Sequence, residues 1–128
     1  MKKQVKQVEE FQKAFGAFMG EGASFPPLDR CVLRQRLLQE EVLELHQAWS
    51  NKDIVEVADA ITDCMYILIG TAVEFGLQDK LEDLFDEVHG SNMSKLDENG
   101  KPIYRNDGKV MKSNLYYPPN LKSIIENK

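Results

Sequence analysis

Ile54-Val55-Glu56-Val57-Ala58-Asp59-Ala60-Ile61-Thr62-Asp63-Cys64-Met65-Tyr66-Ile67-Leu68-Ile69-Gly70-Thr71-Ala72-Val73 is the stretch on which the fold turns. It contains no proline and is apolar on nearly every side when wound at 100° per residue, the pattern of a helix buried all round. Yet Glu56, Asp59 and Asp63 recur at i, i+3 and i+7 along one edge, with Tyr66 and Gly70 continuing it. Carboxylates left unpaired in a core are costly enough to neutralise or to recruit a partner. No Lys or Arg follows Lys52 in this helix.

Working outward, Asp53 stands where a side-chain cap is expected, and Gly76 stands just past the end, where glycine favours helix termination. Ser50-Asn51-Lys52 makes a short turn back to a second helix, expected from a cap at Asp29 to about Trp49. On that helix Leu38, Val42, Leu45 and Trp49 form one apolar stripe. Glu40, Glu41 and Glu44 cluster on another side, which they share with Leu33 and Leu37. The acidic patch is therefore not the solvated back of an amphipathic helix. A turn this short packs the two helices antiparallel, so Glu40, Glu41 and Glu44 face Glu56, Asp59 and Asp63 across a seam. Six acidic groups there require divalent cations, and all-oxygen ligation suits Mg²⁺ or Mn²⁺. The competing reading makes Glu40 and Glu41 ordinary surface charges paired with Arg34, Arg36 or Lys52.

The flanks complete an all-α expectation. Val5, Val8, Phe11, Phe15 and Phe18 mark an amphipathic helix over residues 1–20, and breakers fill residues 20–27. Leu77, Leu81, Leu84, Phe85 and Val88 mark a fourth helix over about 77–88. Beyond His89-Gly90 the pattern becomes irregular, and residues 101–105 and 109–112 can pair as a short hairpin. The expected architecture is a small antiparallel bundle of four main helices over 1–90 with an irregular, basic C-terminal arm over 91–128, in one domain.

Composition narrows the function classes. Apolar residues make up 42% and charged residues 29%, ordinary for a globular protein. No apolar run is long enough to span a membrane, and Met1-Lys2-Lys3 leads into a polar stretch, so a cytoplasmic protein is expected. Residues 1–91 carry 9 Lys/Arg against 17 Asp/Glu, and residues 92–128 carry 7 against 4. An acidic body is a poor nucleic-acid binder but suits a site where cations and an anionic substrate meet. Cys31 and Cys64 read as buried small hydrophobes, with no disulfide or zinc pattern. His46 and His89 read as structural or exposed. Phe11, Phe15 and Trp49 read as core. Apolar surface left over on so small a bundle predicts a homodimer or dimer of dimers, with the site near the subunit interface.

Glu40-Glu41-x-x-Glu44 followed by Glu56-x-x-Asp59 resembles the signature of the MazG-like, all-α nucleoside triphosphate pyrophosphohydrolases. That superfamily includes dimeric dUTPases and phosphoribosyl-ATP pyrophosphohydrolases. Residues 59–66 with Gly70-Thr71-Ala72, and Ser91-Asn92-Met93-Ser94-Lys95 with Asp107-Gly108-Lys109, are similar to the phosphoribosyl-ATP pyrophosphohydrolase-like branch. The resemblance implies Mg²⁺-dependent cleavage of a nucleoside triphosphate to monophosphate and pyrophosphate. It implies Glu41, Glu44, Glu56 and Asp59 as metal ligands, and Glu40 as a further ligand or the base that orients water. Lys95, Lys109 and Lys112 become candidates for phosphate contacts, with Asn92 and Tyr117 as hydrogen-bond donors. Asp63 is placed in the site as a partner for a sugar hydroxyl, a metal or a helix. Alternatives are a dUTPase-like or phosphoribosyl-ATP-specific hydrolase, a family member that binds nucleotide without cleaving it, or a non-enzymatic helical interaction module.

Overall fold

The computed structural model describes residues 1–127. The chain is all-α with four main helices: α1 (Lys2–Ala14), α2 (Leu28–Ser50), α3 (Ile54–Glu74) and α4 (Leu81–Met93). A single 3₁₀ turn (Gln78–Lys80) precedes α4, and a short helix, α5 (Leu121–Glu126), closes the chain. Two minimal strands, β1 (Ile103–Tyr104) and β2 (Val110–Met111), pair antiparallel with Ile103 opposite Met111. The chain divides into two compact units, residues 1–79 and the remainder from Lys80. The helix over 81–93 therefore groups with the arm, and not with the first three helices.

In the first unit α3 packs against both α2 and α1. Val5 and Val8 of α1, Ala48 of α2, and Ala60, Ile69, Ala72 and Val73 of α3 form the buried core. Ala48 and Ala60 let α2 and α3 approach closely toward the turn that joins them. The pairing is antiparallel: Arg34 reaches Ile67 and Thr71, and Glu41, seven residues further on, meets Asp63.

All three helices of this unit end by one device. In each, the residue two past the helix is left-handed: Gly16 (φ 67°), Lys52 (φ 55°) and Gly76 (φ 70°). Each donates its N–H three residues back, and the next residue donates five back: Ala17 to Gln12, Asp53 to Ala48 and Leu77 to Ala72. This doubly bonded cap satisfies orphan carbonyls and favours glycine. Lys52 is the exception. Asp53 then caps α3 as expected, its carboxylate accepting the Glu56 N–H at 3.2 Å.

Several expectations need correction. The first helix stops at Ala14, not residue 20, because the Gly16 cap reverses the chain and Phe18 falls in the loop. That loop then crosses the end of α3. The Gly20 N–H donates to the Val73 carbonyl at 3.0 Å, and a Cβ on Gly76 would collide with the Gly22 carbonyl. The second helix starts at Leu28 behind Pro27, so Asp29 lies in its first turn without capping it. The fourth helix runs on through Gly90 to Met93. Phe15 (74% exposed), Trp49 (58%) and Phe11 (41%) are not core, and Cys31 and Cys64 are half-buried. The third helix is not covered all round: Ile54, Val55, Met65 and Leu68 stand exposed. No single helix among the described residues is long and apolar enough to cross a membrane.

Candidate active site

The α2–α3 seam has two charged ends. Toward the middle of the helices, the carboxylates of Glu41, Glu44 and Asp63 offer oxygens that all lie within 4.8 Å of one another. Glu41 and Glu44 are one turn apart on α2, and Asp63 reaches in from α3. Glu41 and Asp63 are half-buried, whereas Glu44 is exposed. The Oε2 atom of Glu41 is buried and has no hydrogen-bond partner among the described residues. Buried acceptors are rarely left in that condition. Burial pushes the Glu41 carboxyl up to about 7, and the nearby carboxylates of Glu44, Asp63 and Asp59 push the same way. Asp63 is likewise raised by burial, then by Asp59 and Glu44, with a hydrogen bond to Glu41 opposing. Three carboxylates held this closely repel one another unless protons or a cation intervene.

The two other sequence-derived ligands sit beside this triad and not within it. Glu56 and Asp59, both exposed, join Glu44 in lining a polar hollow of about 480 Å³ at the α2–α3 turn. Glu44 thus belongs to both groups, and Asp59 acts electrostatically on Glu41 and Asp63. Glu40 lies exposed next to Glu41. The donor set is all oxygen and acidic, which fits a hard divalent cation. Burial raises the Cys64 thiol, and Glu41, Asp63 and Glu44 raise it further, which disfavours the reactive thiolate.

The reading in which nearby cations neutralise these acids fails on the placement of Arg34. Its guanidinium donates from Nε to Thr71 Oγ1 at 3.1 Å and from Nη2 to the Ile67 carbonyl at 2.7 Å, and Nη1 lies 3.3 Å from Glu74 Oε2. Among the described residues neither Arg36 nor Lys52 forms an ion pair with the cluster. Glu74 is the residue that the sequence reading passed over. It is fully buried and receives Arg30 in bidentate fashion at 2.8 and 2.9 Å, together with Gln12 Nε2 at 3.2 Å. Gln12 is therefore committed to the core, its amide donating to Glu74 and to the Phe18 carbonyl. Gly70 makes this possible, since a Cβ there would meet Arg34 Nη2 at 2.5 Å. The sequence signal was available as Arg30 and Arg34 at i, i+4 opposite a Gly70-x-x-x-Glu74 spacing.

In the second unit the candidate phosphate contacts lie on a segment tied down by serines. Ser91 Oγ donates to the Tyr117 carbonyl at 2.8 Å, and Ser94 Oγ accepts the Tyr117 N–H at 3.1 Å. Ser113 Oγ lies within hydrogen-bonding distance of the Ser94 and Leu96 carbonyls, at 3.1 and 2.7 Å. The Ser113 N–H donates to the Lys95 carbonyl at 3.2 Å, which brings Lys95 beside the residue that follows Lys112. The Lys112 ammonium sits 4.6 Å over the Tyr116 ring. Lys109 is exposed on the hairpin, and Asn92 is exposed in the last turn of α4. The Tyr117 hydroxyl fills the space that a Cβ on Gly90 would need.

The two longest helices, α2 and α3, converge carboxylates that no cationic side chain meets among the described residues, a donor set that suits a hard divalent cation. The family model for phosphoribosyl-ATP pyrophosphohydrolase matches residues 8–92. The chain belongs to this family, within the all-α nucleoside triphosphate pyrophosphohydrolase superfamily, and is a pyrophosphohydrolase acting on nucleotide-like substrates. Glu40, Glu41, Glu44, Glu56, Asp59 and Asp63 all fall inside the match. Lys95, Lys109, Lys112 and Tyr117 fall beyond it. No curated protein matches the chain.

Proposed function

We propose that the protein hydrolyses nucleoside triphosphates to the monophosphate and pyrophosphate, in the cytoplasm, with Mg²⁺ as its cofactor and Mn²⁺ as a substitute. The observation that carries this reading is the Glu41–Glu44–Asp63 convergence around a buried, unpartnered Glu41 oxygen. In the reaction a water oxygen bonds to the α-phosphorus, the bond from it to the bridging oxygen breaks, and pyrophosphate leaves. Held by Glu41, Glu44 and Asp63, with Glu56 and Asp59 adjoining, Mg²⁺ would neutralise charge on the phosphate oxygens. Glu40, exposed beside the cluster, takes the proton of the attacking water, a role that Glu41 can fill in its place. Lys95, Lys109 and Lys112 neutralise the terminal phosphates, with Asn92 and Tyr117 donating to them.

The uncovered apolar residues of α2 and α3, among them Trp49, Ile54 and Val55, support a homodimer or dimer of dimers. Sedimentation will give a molecular weight at least twice that of the chain. A narrower second reading, phosphoribosyl-ATP as the substrate, is favoured by the description of the matched family.

Pyrophosphate release is the direct test, measured on a panel of canonical and modified nucleoside triphosphates and on phosphoribosyl-ATP, with Mg²⁺ or EDTA. Release is expected with Mg²⁺ only, and Glu41→Ala should lower turnover by about 100-fold or more. Release from phosphoribosyl-ATP alone would select the narrower reading. No release from any of them by folded, metal-loaded protein would leave the non-enzymatic interaction module.

A further inference from the structure

The seam between α2 and α3 repeats itself two turns apart. On α2, Arg34 and Glu41 are separated by seven residues, which sets them within about 20° of one line along the helix. On α3, Asp63 and Gly70 are separated by the same seven. The helices run antiparallel, so Arg34 lies on Gly70 at one station and Glu41 meets Asp63 at the other. Whatever fixes the rotation of α3 at the first station fixes it at the second as well.

The neighbouring contacts set that rotation only loosely. Ala48 and Ala60 allow close approach, but apolar contact is non-directional. The acidic station works against its own geometry, because Glu41, Glu44 and Asp63 repel one another until a cation arrives. Arg34 is different. It donates to Thr71 Oγ1 at 3.1 Å and to the Ile67 carbonyl at 2.7 Å, two acceptors one turn apart on α3. Such bonds hold only over a narrow range of distance and angle. The second is made to the backbone of α3 itself, so no change of rotamer lets its acceptor stay in place if the helix turns. The Arg34 side chain is only 9% exposed, so water is poorly placed to substitute for either bond. Arg30 provides the contrast: it too reaches Glu74, but that partner is the end of a side chain in the last turn of α3. A rotation of α3 by one residue, about 100°, would carry Asp63 off the seam. Resting on the metal-dependent pyrophosphohydrolase reading of the acidic cluster, we propose that Arg34 is a positioning residue for that site. Its bonds to Ile67 and Thr71 hold Asp63 opposite Glu41 and Glu44 before the cation binds, whereas Arg30 fastens the helices without setting their rotation. Arg34 touches neither metal nor substrate and acts through the orientation of α3.

The test is the Mn²⁺ affinity of metal-stripped protein, read from the paramagnetic resonance of the free ion. It is made at a temperature where circular dichroism shows each variant folded. Arg34→Met leaves Glu74 with Arg30 and Gln12 as partners, and it should weaken Mn²⁺ binding by about tenfold or more. Arg30→Met removes a cation from the same Glu74 and should leave the affinity close to that of the parent. Thr71→Val takes away one of the two bonds without changing any charge. It should weaken binding to a smaller extent, and it stands in if Arg34→Met does not fold. The proposal is overturned if Arg34→Met, or Thr71→Val in its place, binds Mn²⁺ as the parent does. It is also overturned if Arg30→Met loses as much affinity, since the effect would then follow stability and not rotation. A parent that binds no Mn²⁺ overturns it together with the metal reading. Arg34-dependent Mn²⁺ binding without pyrophosphate release from any nucleotide would sink the hydrolase reading and leave the positioning role standing.

Discussion

The two ends of the α2–α3 seam hold opposite solutions to the same problem of placing charge between packed helices. At one end a single buried carboxylate, Glu74, is met by two guanidiniums and an amide. At the other, three carboxylates meet one another and no cation answers them among the described residues. The first arrangement is complete without a ligand. The second is stable only when something else supplies positive charge, which is why it reads as a site and the first as a fastening.

The largest expected effect breaks the fastened end. Glu74→Ala leaves Arg34 buried without its anion, and loss of one partner of a buried pair costs about 3–5 kcal/mol. Urea unfolding should show the midpoint falling steeply, by far more than for Glu41→Ala. Equal losses from the two substitutions would erase the distinction between the ends.

A smaller effect sharpens the contrast through pH. Glu41 titrates at about 7 in the folded chain against an ordinary 4.5, so the native state holds its proton more tightly than the unfolded state does. Metal-free protein therefore loses stability as pH climbs from 4.5 through 7, and the loss levels off above that. Glu41→Gln removes this dependence. In EDTA the variant should melt a few degrees above the parent at pH 8 and close to it at pH 4.5, and Mg²⁺ should reverse the order at pH 8. A gap that does not grow with pH would mean that the three carboxylates are not in conflict.

The smallest effect concerns the turn that joins α2 to α3, beside the acidic end. Lys52 holds a left-handed conformation that glycine occupies in the equivalent caps of α1 and α3. Lys52→Gly relieves that strain but adds freedom to the unfolded chain, so a net gain of about 0.5 kcal/mol or less is expected in thermal melts.

What the sequence made legible was local. The Asp53 cap, the Gly76 stop and the acidic rows on α2 and α3 each depend on neighbours within a turn or two, and each could be read from spacing. Asp63 was recognised as a site residue, but its nearness to Glu41 and Glu44, closer than that of Glu56, depends on how two helices rotate against each other. Glu74 was passed over because its partners Arg30 and Gln12 lie 44 and 62 residues away, and the i, i+4 spacing of Arg30 and Arg34 acquires its meaning only once α2 is set against α3. The aromatic spacing of Phe11, Phe15 and Phe18 suggested one long amphipathic helix, whereas the chain turns at Gly16 and leaves Phe15 outside. The fourth helix was expected to end near Val88, yet α4 continues through Gly90 to Met93. The missing side chain of Gly90 makes room for Tyr117, a fact of the tertiary fold that no local pattern carries.

The crossing of the Gly20–Gly22 strand over the end of α3 has a consequence for how this sequence can drift. Gly76 is constrained twice, by its left-handed backbone and by the Gly22 carbonyl against it, whereas Gly22 is left-handed but faces open space. Asparagine, which tolerates that conformation, is therefore open to position 22 and closed to position 76. Position 20 is closed as well, since a Cβ there would meet the Glu74 carbonyl oxygen at 2.6 Å. The crossing segment can therefore change at position 22 only while the helix end beneath it stays bare, and the permission to change at one position is held by the other.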